Sequence, residues 1–278
     1  MSEPNNPFAD AAYRHVTVRD GELEHAYGPQ VHILADPFLL THLGFLCAEG
    51  TQQPAINEVV RDQYRYLIKA VLNGEFPRVV KSVTTRMAAA SDRGTWTGEV
   101  LDTEQRAVSV NIMRAGTLPS QVCYDFLNKT LNPKLVRQDH VVMSRMTDDA
   151  GKVTGSRFGD SKIGGDVEGA MVLFPDPMGA TGGSLAEAIR YYKDKVPGRA
   201  RRYVCANLIV TPEYLRRITR EHPDAVVYAV RLDRGASSPE VLRAKPGARW
   251  DEESGLTDKQ YIVPGGGGFG EIMNNAYC

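Results

Sequence analysis

The sequence predicts an α/β fold with a mostly parallel central sheet flanked by helices, and three stretches predict it. In Ala170 to Arg190 (AMVLFPDPMGATGGSLAEAIR) an apolar run, Met171-Val172-Leu173-Phe174, leads through Asp176 into a small-residue loop, Gly179-Ala180-Thr181-Gly182-Gly183-Ser184. A helical pattern follows from Leu185 to Tyr192. Tyr203 to Val210 is almost continuously apolar, as suits a parallel strand covered on both faces. Thr211-Pro212-Glu213 then opens a helix with an N-cap hydroxyl and an N1 proline, and Ala225 to Arg231 reads as the next strand. Ala107 to Met113 is a third β-rich run, running straight into Arg114-Ala115-Gly116. A βαβα succession of this kind requires right-handed crossovers and a parallel sheet.

The composition sets the frame for the elements. The chain has 278 residues, 42% hydrophobic and 24% charged, with a net charge of −1, which describes an ordinary globular protein. A dedicated nucleic-acid binder would carry a clear basic excess. No apolar run reaches the length of a membrane span, and MSEPNNPFAD lacks the regions of a signal peptide, so a cytoplasmic location is expected. Cys47, Cys123, Cys205 and Cys278 are scattered without C-x-x-C spacing, as buried or incidental thiols would be.

Residues 1–30 are polar and carry Pro4, Pro7 and Pro29 without periodicity. They read as an extension ahead of a single domain over 31–278. Asp36-Pro37 starts a helix with Phe38, Leu39, Leu40, Leu43 and Leu46 apolar. Glu58 to Leu72 is a second helix, with Val59, Val60, Tyr64, Leu67, Ile68 and Val71 at helical spacing, and Asn73-Gly74 is expected to end it. A strand is expected over Pro77 to Met87, a helix over Gln121 to Leu131, and a strand from Asp139. Thr147 to Gly165 is rich in Asp, Gly, Lys and Ser and reads as a mobile loop bearing Lys152, Arg157 and Lys162. Such a loop folds over a polyanion or is simply solvated, and the sequence leaves both open. Ser237 to Asp258 reads as an acidic surface connection.

Chemically, the stretch from Asp176 to Ser184 has the form of a phosphate cradle. Glycines let the backbone approach an anion, helix-start N–H groups point at it, and the hydroxyls of Thr181 and Ser184 donate further bonds. No Lys follows the glycines, as a Walker loop needs, and the acid precedes them, unlike a Rossmann fingerprint. An acid ahead of T-G-G-S suits a sugar phosphate. The same residues also suit an ordinary βα turn. Arg114, at the carboxyl end of a strand, stands where open α/β sheets bind ligands, although a surface ion pair is equally in keeping with one arginine.

At this point the chain resembles a known family. Asp176-Pro177-Met178-Gly179-Ala180-Thr181-Gly182-Gly183-Ser184 resembles the D-P-M-L-A-T-G-G-S loop of uracil phosphoribosyltransferases, type I phosphoribosyltransferases, with Gly179 as the departure. Arg114-Ala115-Gly116 matches the family's R-A-G, although Thr117-Leu118-Pro119 replaces L-G-M. Ser144-Arg145 stands where the family has Y-R. Thr211 to Tyr214 falls at A-P-E-G, with His222-Pro223-Asp224 at H-P-D. Tyr261-Ile262-Val263-Pro264-Gly265 matches Y-I-V-P-G. Beyond it the family's L-G-D-A-G-D becomes Gly266-Gly267-Gly268-Phe269-Gly270-Glu271, which removes one aspartate and adds a bulky ring.

The resemblance implies a type I fold with an N-terminal helical arm and a C-terminal hood over the base. It implies transfer of ribose 5-phosphate from phosphoribosyl diphosphate to a pyrimidine, most simply uracil, giving UMP and diphosphate. Asp176 and the Pro177 to Ser184 loop would hold the ribose 5-phosphate, and Arg114 and Arg145 the diphosphate. Mg²⁺ would be carried by the donor without direct protein ligands. Tyr261, Ile262, Gly267, Gly268 and Phe269 would receive the base. A homodimer or higher homo-oligomer, with no nucleic-acid or membrane partner, is also expected. A different acceptor base, or a non-catalytic nucleotide sensor, stays open because Gly268 and Phe269 depart from the family.

Overall fold

The computed structural model describes residues 7, 9–16, 21–147 and 153–276; the side chains of 144–147 and 153–158 lie outside the described part. A short strand, β1 (Val31–Ile33), precedes two helices, α1 (Pro37–Cys47) and α2 (Ala55–Glu75). Asp36 caps α1 by accepting from the N–H groups of Phe38 and Leu39, with Pro37 at N1. The expected stop at Asn73-Gly74 is corrected: α2 runs on to Glu75. Gly74 serves packing, since a Cβ there would overlap the hydroxyl of Tyr228.

A two-stranded antiparallel sheet follows, β2 (Arg78–Thr84) with β3 (Thr95–Leu101). The expected strand over Pro77 to Met87 is therefore shorter and has a partner. Next come β4 (Ala107–Met113), α3 (Thr117–Thr130) and β5 (Val136–Thr147). Helix α3 starts four residues before the expected Gln121.

The polar stretch after Thr147 differs most from expectation. Val153–Lys162 is a strand, β6, antiparallel to β5, while Lys152 and residues 148–151 lie outside the described residues. A strand at the end of a sheet keeps polar side chains because little of it is covered, so its composition mimics a loop.

The chain then passes through β7 (Met171–Pro175), a two-residue strand β8 (Met178–Gly179), and α4 (Gly183–Lys195). Strand β9 (Arg202–Val210), helix α5 (Pro212–Glu221) and strand β10 (Ala225–Leu232) follow, then the short helices α6 (Pro239–Arg243) and α7 (Phe269–Ile272). The 237–258 connection is more than surface, since Val241 and Glu253 within it are buried. Part of the 1–30 segment is also built in: Tyr27 is buried, its hydroxyl donating to Glu253.

The main sheet has the order β1-β10-β9-β7-β4-β5-β6, with β8 added on β9. All its pairings are parallel except β5–β6. Strand side chains alternate between two cores. Val226, Tyr228 and Val230 of β10 face α1, α2 and α3, whereas Val227 and Ala229 face α4 and α5. The chain runs outward from β4 to β5 and β6, then returns to β7 on β4's other side. That reversal opens a crevice at the carboxyl ends of β4 and β7, the place where open α/β sheets bind ligands.

Candidate active site

Three segments far apart in sequence meet at this crevice. The first is the turn after β4, which Arg114 enters through a cis peptide from Met113. Gly116 is required there, since a Cβ would sit 2.7 Å from the Ile112 carbonyl oxygen and 3.1 Å from that of Pro175. The same approach sets Arg114-Ala115-Gly116 against the second segment, the loop after β7. The third is the C-terminal turn: a Cβ on Gly270 would come within 3.9 Å of Ala115 Cβ.

The Asp176 to Ser184 loop is stitched to β9 by its carbonyls. Pro177 O accepts from Leu208 N and Ile209 N (3.1 and 3.0 Å), Gly179 O from Thr211 N (3.1 Å), and Ala180 O from the Thr211 hydroxyl (2.6 Å). The Asp176 carboxylate accepts from Met178 N at 3.0 Å. Gly182, at φ +74°, turns the chain into α4 and caps it without a side chain. Gly183 N, the first of α4, donates to the Thr181 hydroxyl at 3.4 Å, and a helix start of this kind, with its dipole aimed into the crevice, favours a bound anion.

Beneath the loop lies a buried brace that sequence reasoning missed. The Tyr214 hydroxyl donates to Asn207 Oδ1 at 2.8 Å, and Asn207 Nδ2 donates to Asp176 O at 2.6 Å. Burial pushes the Tyr214 hydroxyl far above its ordinary pKa, so it stays a donor. The Tyr214 ring lies against Gly179, where a Cβ would be 3.0 Å away, so the departure at Gly179 is matched by the ring beside it. The available signal was Asn207, a lone amide inside an otherwise apolar run.

Arg114 reaches over the crevice toward the C-terminal segment. Its Nη1 donates to Ala276 O at 3.2 Å, and Nη2 lies 3.9 Å from Glu271 Oε1. Arg145 is on β5, paired with Ser156 of β6; its side chain lies outside the described part, as does that of Arg157. Lys162 ends β6, its backbone opposite His140.

The C-terminal segment is fixed from below. Arg231 and Asp233 pair at 2.6 Å and grip the backbone of one residue between them: Gly265 N donates to Asp233 Oδ2 (2.7 Å) and Gly265 O accepts from Arg231 Nη2 (2.9 Å). Gly265 and Gly267 both have positive φ (+63° and +82°). Gln53 and Asn57 hold the carbonyls of Ile272 and Met273. Tyr261 is exposed and Ile262 half-buried. Phe269, expected to face a base, is only 1% exposed and belongs to the core with α1, α2 and α3, where it anchors α7. Gly267 and Gly268 stay at the surface above it.

A family model described as uracil phosphoribosyltransferase matches residues 33–247. The chain is 36% identical over 112 residues to a uracil phosphoribosyltransferase of Shouchella clausii, covering 40% of this chain and 43% of that protein. It is 28% identical over 127 residues to one of Campylobacter fetus, covering 45% and 50%. The chain thus aligns with half or less of the length of these curated relatives. Among solved structures, the AQ2163 protein of Aquifex aeolicus superimposes with a TM-score of 0.64 at 20% identity, over 88% of this chain and 97% of that one, a likeness of fold.

Proposed function

The chain belongs to the uracil phosphoribosyltransferase family, and on that premise we propose that it transfers ribose 5-phosphate from phosphoribosyl diphosphate to uracil, giving UMP and diphosphate. The observation that carries this reading is the meeting of the Arg114 turn, the Asp176 to Ser184 loop and the Gly265 to Glu271 segment at one crevice, with Gly116 against Pro175 O and Gly270 against Ala115.

In this reading the start of α4, with Ala180 to Ser184, holds the 5-phosphate, and Pro177, Met178 and Gly179 fix the loop on β9. Asp176 takes the ribose hydroxyls. Arg114 and Arg145 offset the diphosphate charge that grows as the anomeric bond breaks, Arg114 exchanging its contacts with the C-terminal segment for phosphate oxygens. Tyr261 and Ile262 flank the base, and the backbone of exposed Gly267 and half-buried Gly268 presents N–H and C=O groups to its edge. Phe269 supports that backbone from the core.

Among the described residues no group of three or more His, Cys, Asp or Glu is placed to hold a metal ion. In this reading Mg²⁺ would be carried by donor phosphate oxygens and waters, where it would supply countercharge to the leaving group. Homo-oligomerisation is part of the proposal, supported by the exposed aromatics Phe38, Phe45 and Tyr66 on α1 and α2. No described helix is long and apolar enough to cross a membrane.

A second reading keeps the donor and changes the acceptor base, and Gly268 is its motive. The test is mass spectrometry of nucleotides formed from phosphoribosyl diphosphate, Mg²⁺ and each common base in turn. UMP as the dominant product is expected. A different nucleotide would move the chain to the second reading, and no nucleotide from any base would overturn both.

A further inference from the structure

We propose that Glu271 is the carboxylate that receives the acceptor base, standing in the space that a side chain on residue 268 would fill. This rests on the phosphoribosyl-transfer reading above.

Gly268 precedes α7, and Glu271 N donates to Gly268 O at 3.0 Å, so residues three apart stack on one side of the turn. The glutamate side chain folds back along that side. A Cβ on Gly268 would overlap Glu271 Oε2 and lie 3.1 Å from its Cδ. Gly268 is thus the residue that gives the carboxylate its place. The other oxygen faces Arg114 Nη2 at 3.9 Å, over the turn where Gly270 meets Ala115. Among the described residues this long ion pair is the only polar partner shown for that carboxylate, which is 37% exposed, so its lone pairs are open to a donor entering the crevice.

The ligand group that fits is a ring N–H of a nucleobase, which a carboxylate accepts in a short, charge-assisted bond. As the reaction proceeds, the ring nitrogen's electron pair forms the bond to the anomeric carbon. The pair of the C1′–O bond departs with diphosphate, and the ring proton passes to Glu271 and on to solvent. Residue by residue, Gly268 stands at the family's first aspartate and Glu271 at its second.

The test is steady-state kinetics with base and donor varied separately. Glu271→Ala is expected to lower kcat/KM for the base by about ten- to a hundredfold while the donor KM moves less than about twofold, the loss of one hydrogen bond to a charged group. Glu271→Gln, of the same size, carries the test if the alanine variant folds poorly. Gly268→Ala keeps the glutamate but makes its carboxylate swing aside, and should reproduce part of the loss. The double variant Gly268→Asp with Glu271→Ala should recover most of it. Unchanged base kinetics in Glu271→Ala and Gly268→Ala, or an equal loss in donor KM, would overturn the role of Glu271 alone. An unmutated protein that forms no nucleotide from any base would overturn the transferase reading beneath it.

Discussion

Gly179 shows how much a single residue can determine. It leaves room for the Tyr214 ring, and that ring's hydroxyl reaches the loop through Asn207. Gly179→Ala places a Cβ 2.9 Å from Val210 Cγ1 and 3.0 Å from the ring, overpacking that should cost about 1–3 kcal/mol in urea denaturation. Tyr214→Phe keeps the ring but strands Asn207 Oδ1, and should cost about 1–3 kcal/mol with a raised donor KM. The form of the loop was legible in the sequence, because an apolar run, clustered glycines and a following helical pattern predict a tight strand-to-helix turn. The brace was not, because nothing local ties Tyr214 to Gly179 across thirty-odd residues. Phe269 misled for a related reason: a ring beside glycines suggests stacking, while the core below α7 claims it.

At the scale of elements, packing explains both agreement and error. Helices α1, α2 and α5 were readable because their apolar positions recur with the helical period, and the starts of α1 and α5 carry side-chain caps. Strand β6 was not, since its register on β5 comes from backbone pairing and not from apolar content. The sheet is joined to α4 through Asp139, which is fully buried and accepts from Arg137 (3.0 Å), Gly164 N (2.9 Å) and Tyr192 (2.8 Å). Asp139→Ala strands the Gly164 N–H and the Tyr192 hydroxyl, leaves Arg137 only the Gly165 and Asp166 carbonyls, and should destabilise the fold by about 3–5 kcal/mol in the same denaturation assay.

Helices α4 and α5 meet at His222, whose Nε2 lies 2.9 Å from Ala186 O while Nδ1 lies 3.4 Å from Lys193 Nζ. Burial lowers its pKa below the ordinary 6.5, so the folded chain binds fewer protons there than the unfolded chain. Stability from this site is complete above about pH 6.5 and falls as the pH drops toward the folded-state value. Tm should therefore decline between pH 7 and 5, and His222→Gln should flatten that decline; an unchanged slope would contradict the assignment. His25, also lowered by burial, contributes in the same direction.

For the whole molecule, a parallel sheet whose strand order reverses at β4 and β7 places an arginine turn, a glycine-rich strand-to-helix loop and a glycine-rich tail around one crevice. The parallel character of the sheet was legible because continuous apolar stretches separated by helices allow few topologies, whereas the strand order was not read. The convergence of the tail on Arg114 was not, since it depends on how α7 is seated by Phe269, Gln53 and Asn57. The central claim is that this crevice breaks the anomeric bond of phosphoribosyl diphosphate only when a base is present. The most direct measurement is diphosphate release from phosphoribosyl diphosphate and Mg²⁺, with and without uracil, for the unmutated protein and Arg114→Ala. Uracil-dependent release that falls by about a hundredfold or more in the variant is expected, the loss of a charge-stabilising contact to the leaving group. Release that is indifferent to uracil, or that survives intact in Arg114→Ala, would contradict it.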